Sequence, residues 1–162
     1  MTQKSTTTTV KTWEVKTSNI RFKIKNAGFP VTGTLQGFQG RIQFDPEHLE
    51  ESSLEGSVTS NSIDTANAMR DFHLRMPDYL RAAKFPTIAM KSTRIVSSSS
   101  DDFLGTFEIT IKGKTKVFNI PFSFEQQTFK AQFELNRLDF GVGGRSFVLS
   151  NTAKVSLEIE VA

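Results

Sequence analysis

Two histidines and no cysteine set the limits of acid–base or metal chemistry in this 162-residue chain. His48 and His73 cannot supply a three-histidine zinc site, no thiolate is on hand, and no His-Glu-x-x-His pair occurs. His48 stands in a polar loop and reads as a solvated side chain. A Ser–His–Asp triad would have to use His73, but Asp71 lies two residues away on a predicted helix and points to another face. No Gly-x-Ser-x-Gly elbow is present. The run Gly141-Val142-Gly143-Gly144 is not followed by a helix pattern, so it lacks the dipole and free N–H groups that hold a phosphate. The one remaining constellation is Asn67, Arg70, Asp71 and His73. It has two readings. In the first, Arg70 and Asp71 tie a flap to the body and a backbone carbonyl caps His73. In the second, Arg70 or His73 meets the polar end of a ligand, the guanidinium gripping oxygens by two parallel bonds.

These residues sit in a stretch, Ser62 to Thr93, that holds most of the helical signal. Asp64 and Thr65 are N-cap types. Ala66 to Leu74 has no Gly or Pro, and Met69, Phe72 and His73 share a face at helical spacing. Pro77 suits the first position of a second short helix, and Pro86 stops it. The spacing predicts a helical flap over about residues 65–84.

The rest alternates with the period of strands. The candidates are Thr12–Lys16; Ile20–Lys25, with Ile20, Phe22 and Ile24 on the dry side; and Val31–Asp45, either one bent strand or two. Then come Leu54–Ser60, Ile88–Val96, Phe103–Ile111, Lys116–Glu125, Phe129–Arg137 and Ala153–Val161. Gly28-Phe29-Pro30 and Lys112-Gly113-Lys114 read as turns. Pro121 cannot donate to a ladder, which predicts a bulge or a free edge beside it. About eight evenly spaced antiparallel strands, each with one dry face, close most economically into a barrel, with a two-sheet sandwich as the alternative.

Composition narrows the function classes. Net charge is +3, from 20 basic and 17 acidic residues that do not cluster, so nucleic-acid binding is not indicated. No apolar run reaches the length of a membrane span. Residues 1–10 read as a loose polar tail and 11–162 as one domain. Met1–Thr9 has no apolar core of a signal peptide, which as printed fits a cytoplasmic protein, or a periplasmic or secreted one if a leader was removed. There are 15 Phe but one Tyr and one Trp. So much aromatic surface without a polar handle suits a large dry interior. The faces bearing Phe22, Phe107, Phe118, Phe122 and Phe133 either fill the barrel or line a tunnel. A tunnel would favour a long apolar guest, since each buried methylene contributes roughly 0.8 kcal/mol.

The flap also carries a pattern: Ser62-Ile63-Asp64-Thr65, Asn67, Arg70-Asp71, His73-Leu74, Pro77-Asp78-Tyr79-Leu80, Lys84-Phe85-Pro86 and Lys91-Ser92-Thr93. It resembles the YceI family. Gly33 to Asp45, Phe107 to Lys116 and Asn136 to Val142 are similar to that family's glycine-rich strand, its strand-and-turn and its Arg-x-Asp-Phe-Gly loop. The chain departs from the pattern in having neither Asp nor His over Glu14–Ser18, and Lys25-Asn26 where the family has Lys-His. The resemblance implies a lipocalin-like eight-stranded antiparallel barrel that carries or stores a long-chain isoprenoid, an isoprenoid quinone or a similar amphiphilic lipid, without catalysis. On that reading Phe22, Ile24, Phe38, Phe72, Leu80, Phe107, Ile109, Phe118, Phe122 and Phe133 line the tunnel. Asn67, Arg70 and His73 meet the head group. No metal or cofactor is expected beyond the bound lipid, and no integral membrane contact; a homodimer is left open. The alternatives are a filled barrel acting through its surface, with a stress-related role, and an enzyme using the flap as a lid.

Overall fold

A computed structural model describes residues 10–162. Apart from Val10, the expected tail over residues 1–10 lies outside the described residues. Nine strands follow in chain order: β1 (Thr12–Trp13), β2 (Val15–Asn26), β3 (Phe29–Gln43), β4 (Ser53–Asp64), β5 (Thr87–Ser97), β6 (Asp102–Ile111), β7 (Lys114–Glu125), β8 (Thr128–Asn136) and β9 (Leu149–Val161). A single helix, α1 (Ala68–Leu74), lies between β4 and β5, and Leu49–Glu51 and Arg137–Phe140 form 3-10 turns. Every strand pairing is antiparallel. The order β3-β2-β9-β8-β7-β6-β5-β4 returns on itself through a β3–β4 pairing, so eight strands close a barrel and β1 extends the edge at β3.

The two expected strands near the start are largely one. Lys16 to Asn19 are polar and exposed, yet β2 runs through them because β9 pairs with Thr17, Ser18 and Asn19. The long glycine-bearing stretch is a single bent strand. Its bend sits at Gly37, whose φ of +75° is a left-handed conformation that glycine adopts without a Cβ penalty. Pairing with β4 slips between Thr34 and Gln39, as at a bulge. The extra residue moves the inward face from Gly33 and Leu35 to Phe38, Gly40 and Ile42. The free edge expected at Pro121 is present: β6 pairs with β7 through Leu104↔Pro121, but β7 pairs with β8 only from Phe122↔Ala131 onward. Phe118 and Phe133, with ring centres 6.0 Å apart, and the buried Phe140 ring, stacked at 6.3 Å on Phe118, cover the unpaired seam.

The flap departs from expectation in extent and orientation. β4 continues to Asp64, so the helix cap is Asn67, whose side chain accepts from the Arg70 N–H at 3.0 Å. No second helix starts at Pro77. Met76 O accepts from Tyr79 N and Arg81 N, Leu74 O accepts from Leu80 N, and Arg81 has φ +49°, so the chain turns back on itself. The stripe Met69, Phe72 and His73 faces solvent; Asp71 and Leu74 face the barrel.

The two ends of the barrel differ. One end carries the hairpin turn at Ala27–Gly28, the flap, the Lys112–Gly113 turn and the loop after Arg137. The other carries the β3–β4, β5–β6 and β7–β8 connections and is packed shut. There Phe44, 1% exposed, stands edge-on to Phe103, Phe122, Phe124 and Phe129 at 5.1–6.1 Å. Trp13 packs on Phe124 and donates its indole N–H to Phe44 O at 2.9 Å. Edge-on pairs of this kind add roughly 0.5–1.5 kcal/mol each beyond the area they bury.

Candidate functional site

The barrel is not filled. Above the floor formed by Phe122 and Phe129 lies a cavity of about 310 Å³, walled almost wholly by apolar side chains. That is a size typical of small-molecule sites. Inward glycines help keep the lumen open. The Phe22 ring lies where a side chain on Gly33 would project, and the Phe107 ring does the same at Gly105. Phe38 covers both Gly40 and Gly56, its ring carbons 2.7 and 2.6 Å from where their Cβ atoms would stand. The rings thus lie against the backbone instead of crossing the lumen.

Of the residues named from the sequence, Phe22, Ile24, Phe38, Phe107, Ile109, Phe122 and Phe133 lie on the cavity wall, and Leu80 reaches it from the flap. Phe118 does not; it closes the β7–β8 seam against Phe133 and Phe140. Phe72 is 52% exposed on the outer face of the flap. The family resemblance implies a place for it on the tunnel wall, but it turns outward with Met69 and His73. The side that turns inward is the one whose Asp71 finds a partner.

That partner is Thr65. Asp71 accepts from the Thr65 amide at 2.9 Å and from its hydroxyl at 2.5 Å, and both residues are buried. Arg70, also on α1, donates Nε to Thr65 Oγ1 and Nη2 to Thr65 O, both at 2.8 Å. One threonine at the end of β4 therefore anchors the flap by two charged side chains. Arg70 also lines the cavity, and these bonds use two of its five N–H donors. Asn67 has no such place: its side-chain oxygen is spent on the helix cap. His73 is exposed and faces away from the barrel.

Other polar groups at this end were not singled out as site residues from the sequence. Asn26 and Tyr79 also line the cavity. Arg137, 4% exposed, donates to the carbonyls of Val142, Gly144, Leu149 and Ser150 at 2.9–3.3 Å and so holds the loop that borders the opening. The same loop is held by Lys112, whose Nζ donates to Gly141 O at 2.8 Å; burial lowers the pKa of that ammonium. A buried cation needs such partners, and a sequence shows the cation but not the carbonyls that fold around it. The resulting arrangement suits a guest with a long apolar part and an oxygen-bearing end.

A family model for the YceI-like domain matches residues 12–161. A UPF0312 protein of Shewanella denitrificans is 28% identical over 154 residues, 88% of this chain and 81% of that protein. Among solved structures, Burkholderia cenocepacia BcnA superposes with a TM-score of 0.84 at 22% identity, covering 90% of this chain and 96% of that one. A polyisoprenoid binding domain from Saccharophagus degradans, implicated in plant cell wall breakdown, superposes with a TM-score of 0.68 at 13% identity, covering 91% and 95%. Both neighbours share the closed barrel. With nearly all of its sequence matched by the family model, this chain belongs to the YceI family.

Proposed function

We propose that the chain binds a long-chain isoprenoid or a similar amphiphilic lipid inside the barrel and acts as its carrier, as a binding protein rather than an enzyme. The observation that carries this reading is the apolar cavity, shut at one end by the Phe44 cluster and bordered at the other by Arg70, Asn26 and Tyr79. The tail lies on the floor made by Phe122 and Phe129, where burial of each methylene contributes roughly 0.8 kcal/mol. The head lies near Arg70, which has donors to spare for a phosphate or carbonyl oxygen. The polyisoprenoid binding domain of the same fold supports the choice of ligand class. An open lumen supports this reading over a filled barrel that works only through its surface.

Protein purified without detergent should yield an apolar lipid on organic extraction and mass spectrometry, and the emptied protein should take up a fluorescent prenyl or acyl probe. An extract free of lipid together with no probe uptake would remove the reading.

A further inference from the structure

The barrel is polarised along its axis, in charge and in exposed apolar surface. Among the described residues, the flap end carries exposed Lys25, Arg81, Lys84, Lys114 and Arg145 against exposed Asp64, Asp78 and Asp139. The floor end carries exposed Glu47, Glu50 and Glu51 on one connection, Asp101 and Asp102 on the next, and Glu125 on the third, with Glu14 balanced by Lys11 and Glu160 by Lys16 beside them. A net charge of +3 conceals this separation.

Exposed apolar side chains follow the same axis. Of the eight large ones exposed among the described residues, six stand at the flap end: Phe29 (74%), Met69, Phe72 (52%), Met76, Phe147 and Val148. The other two, Leu104 and Val117, are on strands. The six belong to one neighbourhood. Ala27 N donates to Val148 O at 2.7 Å, joining the Phe29 hairpin to the Phe147 loop; Gly143 N donates to Asp78 O at 2.7 Å, joining that loop to the flap. They therefore gather at the flap end of the barrel.

We infer that this end docks on the surface of an anionic lipid bilayer, with Phe29, Phe72 and Phe147 entering the headgroup region. Exposed aromatics interleaved with Lys and Arg are the composition of an interfacial anchor. Cations near an anionic surface add to the attraction, within a Debye length of it. The acidic floor end is repelled, so the molecule arrives opening first. The apolar groups stand on three separate elements, the start of β3, α1 with the turn after it, and the loop before β9, which suits shallow insertion into a fluid interface better than docking against one rigid surface. A second copy meeting face to face would bring like charges together. Docking places the cavity opening against the membrane, where a lipid guest would enter or leave without crossing water. That consequence rests on the proposed function, but the docking does not.

The test is sedimentation of the purified chain with vesicles of phosphatidylcholine alone and of phosphatidylcholine mixed with phosphatidylglycerol. The expected result is binding to the mixed vesicles, lost at high salt. The triple variant Phe29→Ser, Phe72→Ser, Phe147→Ser should bind about tenfold or more weakly, with an unchanged circular dichroism spectrum. Lys84→Glu with Arg145→Glu should weaken binding to the mixed vesicles only. Failure to bind the mixed vesicles, or wild-type binding by the triple variant, overturns the inference. So does a lipid-free dimer in sedimentation velocity that the same three substitutions dissolve, since these groups would then form a contact between copies. Lipid content is read by extraction and vesicle binding by sedimentation, so one proposal can fail while the other stands.

Discussion

Asp71 accepts both the amide and the hydroxyl of Thr65, six residues earlier, and this bond sets which face of α1 turns inward. Thr65 ends the strand side of the junction and Asp71 sits in the middle of the helix, so the pair fixes flap to barrel at one point. Arg70 reinforces the same point from the neighbouring position. A seven-residue helix has little stability of its own. Its orientation therefore depends on these bonds and on Leu74 and Leu80, which reach the cavity.

Asp71→Ala should destabilise the fold by about 1–3 kcal/mol, because two buried donors on Thr65 lose their acceptor. Asp71→Asn should cost less, since one acceptor oxygen remains. Urea unfolding gives the magnitude. Hydrogen exchange at the Thr65 amide should rise in Asp71→Ala well above any change at β6, the sign of a flap that opens locally. Uniform exchange across the chain would contradict that assignment.

The floor makes a different prediction. Phe44 is almost completely buried and touches four other rings, so Phe44→Ala should cost about 3–5 kcal/mol. It should also deepen the cavity past Phe122 and Phe129. A loss of unfolding free energy below about 1 kcal/mol would mean that the ring cluster does not close this end.

A pH effect is expected at the same end. Asp45 Oδ2 lies 3.0 Å from His48 Nδ1. The Glu47 backbone N–H, and then His48, hold the Asp45 carboxyl below its ordinary 3.8. The bond to Asp45 holds the His48 imidazole above its ordinary 6.5. A raised histidine contributes stability that is complete below 6.5 and is lost as pH rises through its folded value. A lowered carboxylate contributes stability present above 3.8 and lost as pH falls through its folded value. The pair is therefore strongest between those two ordinary values. Both groups are solvated, so the effect on stability is small and the readout is NMR titration of the His48 ring. In Asp45→Asn the ring should titrate lower than in the wild type; an unchanged midpoint would contradict the pairing.

Most of the barrel was legible because one-sided strands advertise themselves. Phe103, Gly105, Phe107, Ile109 and Ile111 alternate in sequence, and Phe103, Phe107, Ile109 and Ile111 are buried in the structure. The alternation also marks which residues of each strand face inward. It does not distinguish hollow from filled. That depends on where rings lie once inside, as Phe38 does across Gly40 and Gly56. The flap was the least legible part. Helical spacing marks a stripe but not which way it faces, and here a buried carboxylate outweighed Met69 and Phe72. Arg137 was visible only as part of a motif, because its partners are backbone carbonyls with no sequence signature.

A residue that blocks the lumen without disturbing the wall separates a hollow carrier from a hollow accident. Leu135 on β8 lines the cavity and pairs with Ala153, which also pairs with Ile24 near the opening. Leu135→Trp places an indole across the space that a tail would use. In an empty lumen the larger ring finds room, so thermal stability should hold or rise. In a filled barrel the same substitution would overpack and cost about 1–3 kcal/mol. Lipid recovered from the variant should fall to a small fraction of wild type while the fold persists. Unchanged stability with unchanged lipid content would mean that the guest, if any, lies elsewhere than between β8 and the floor.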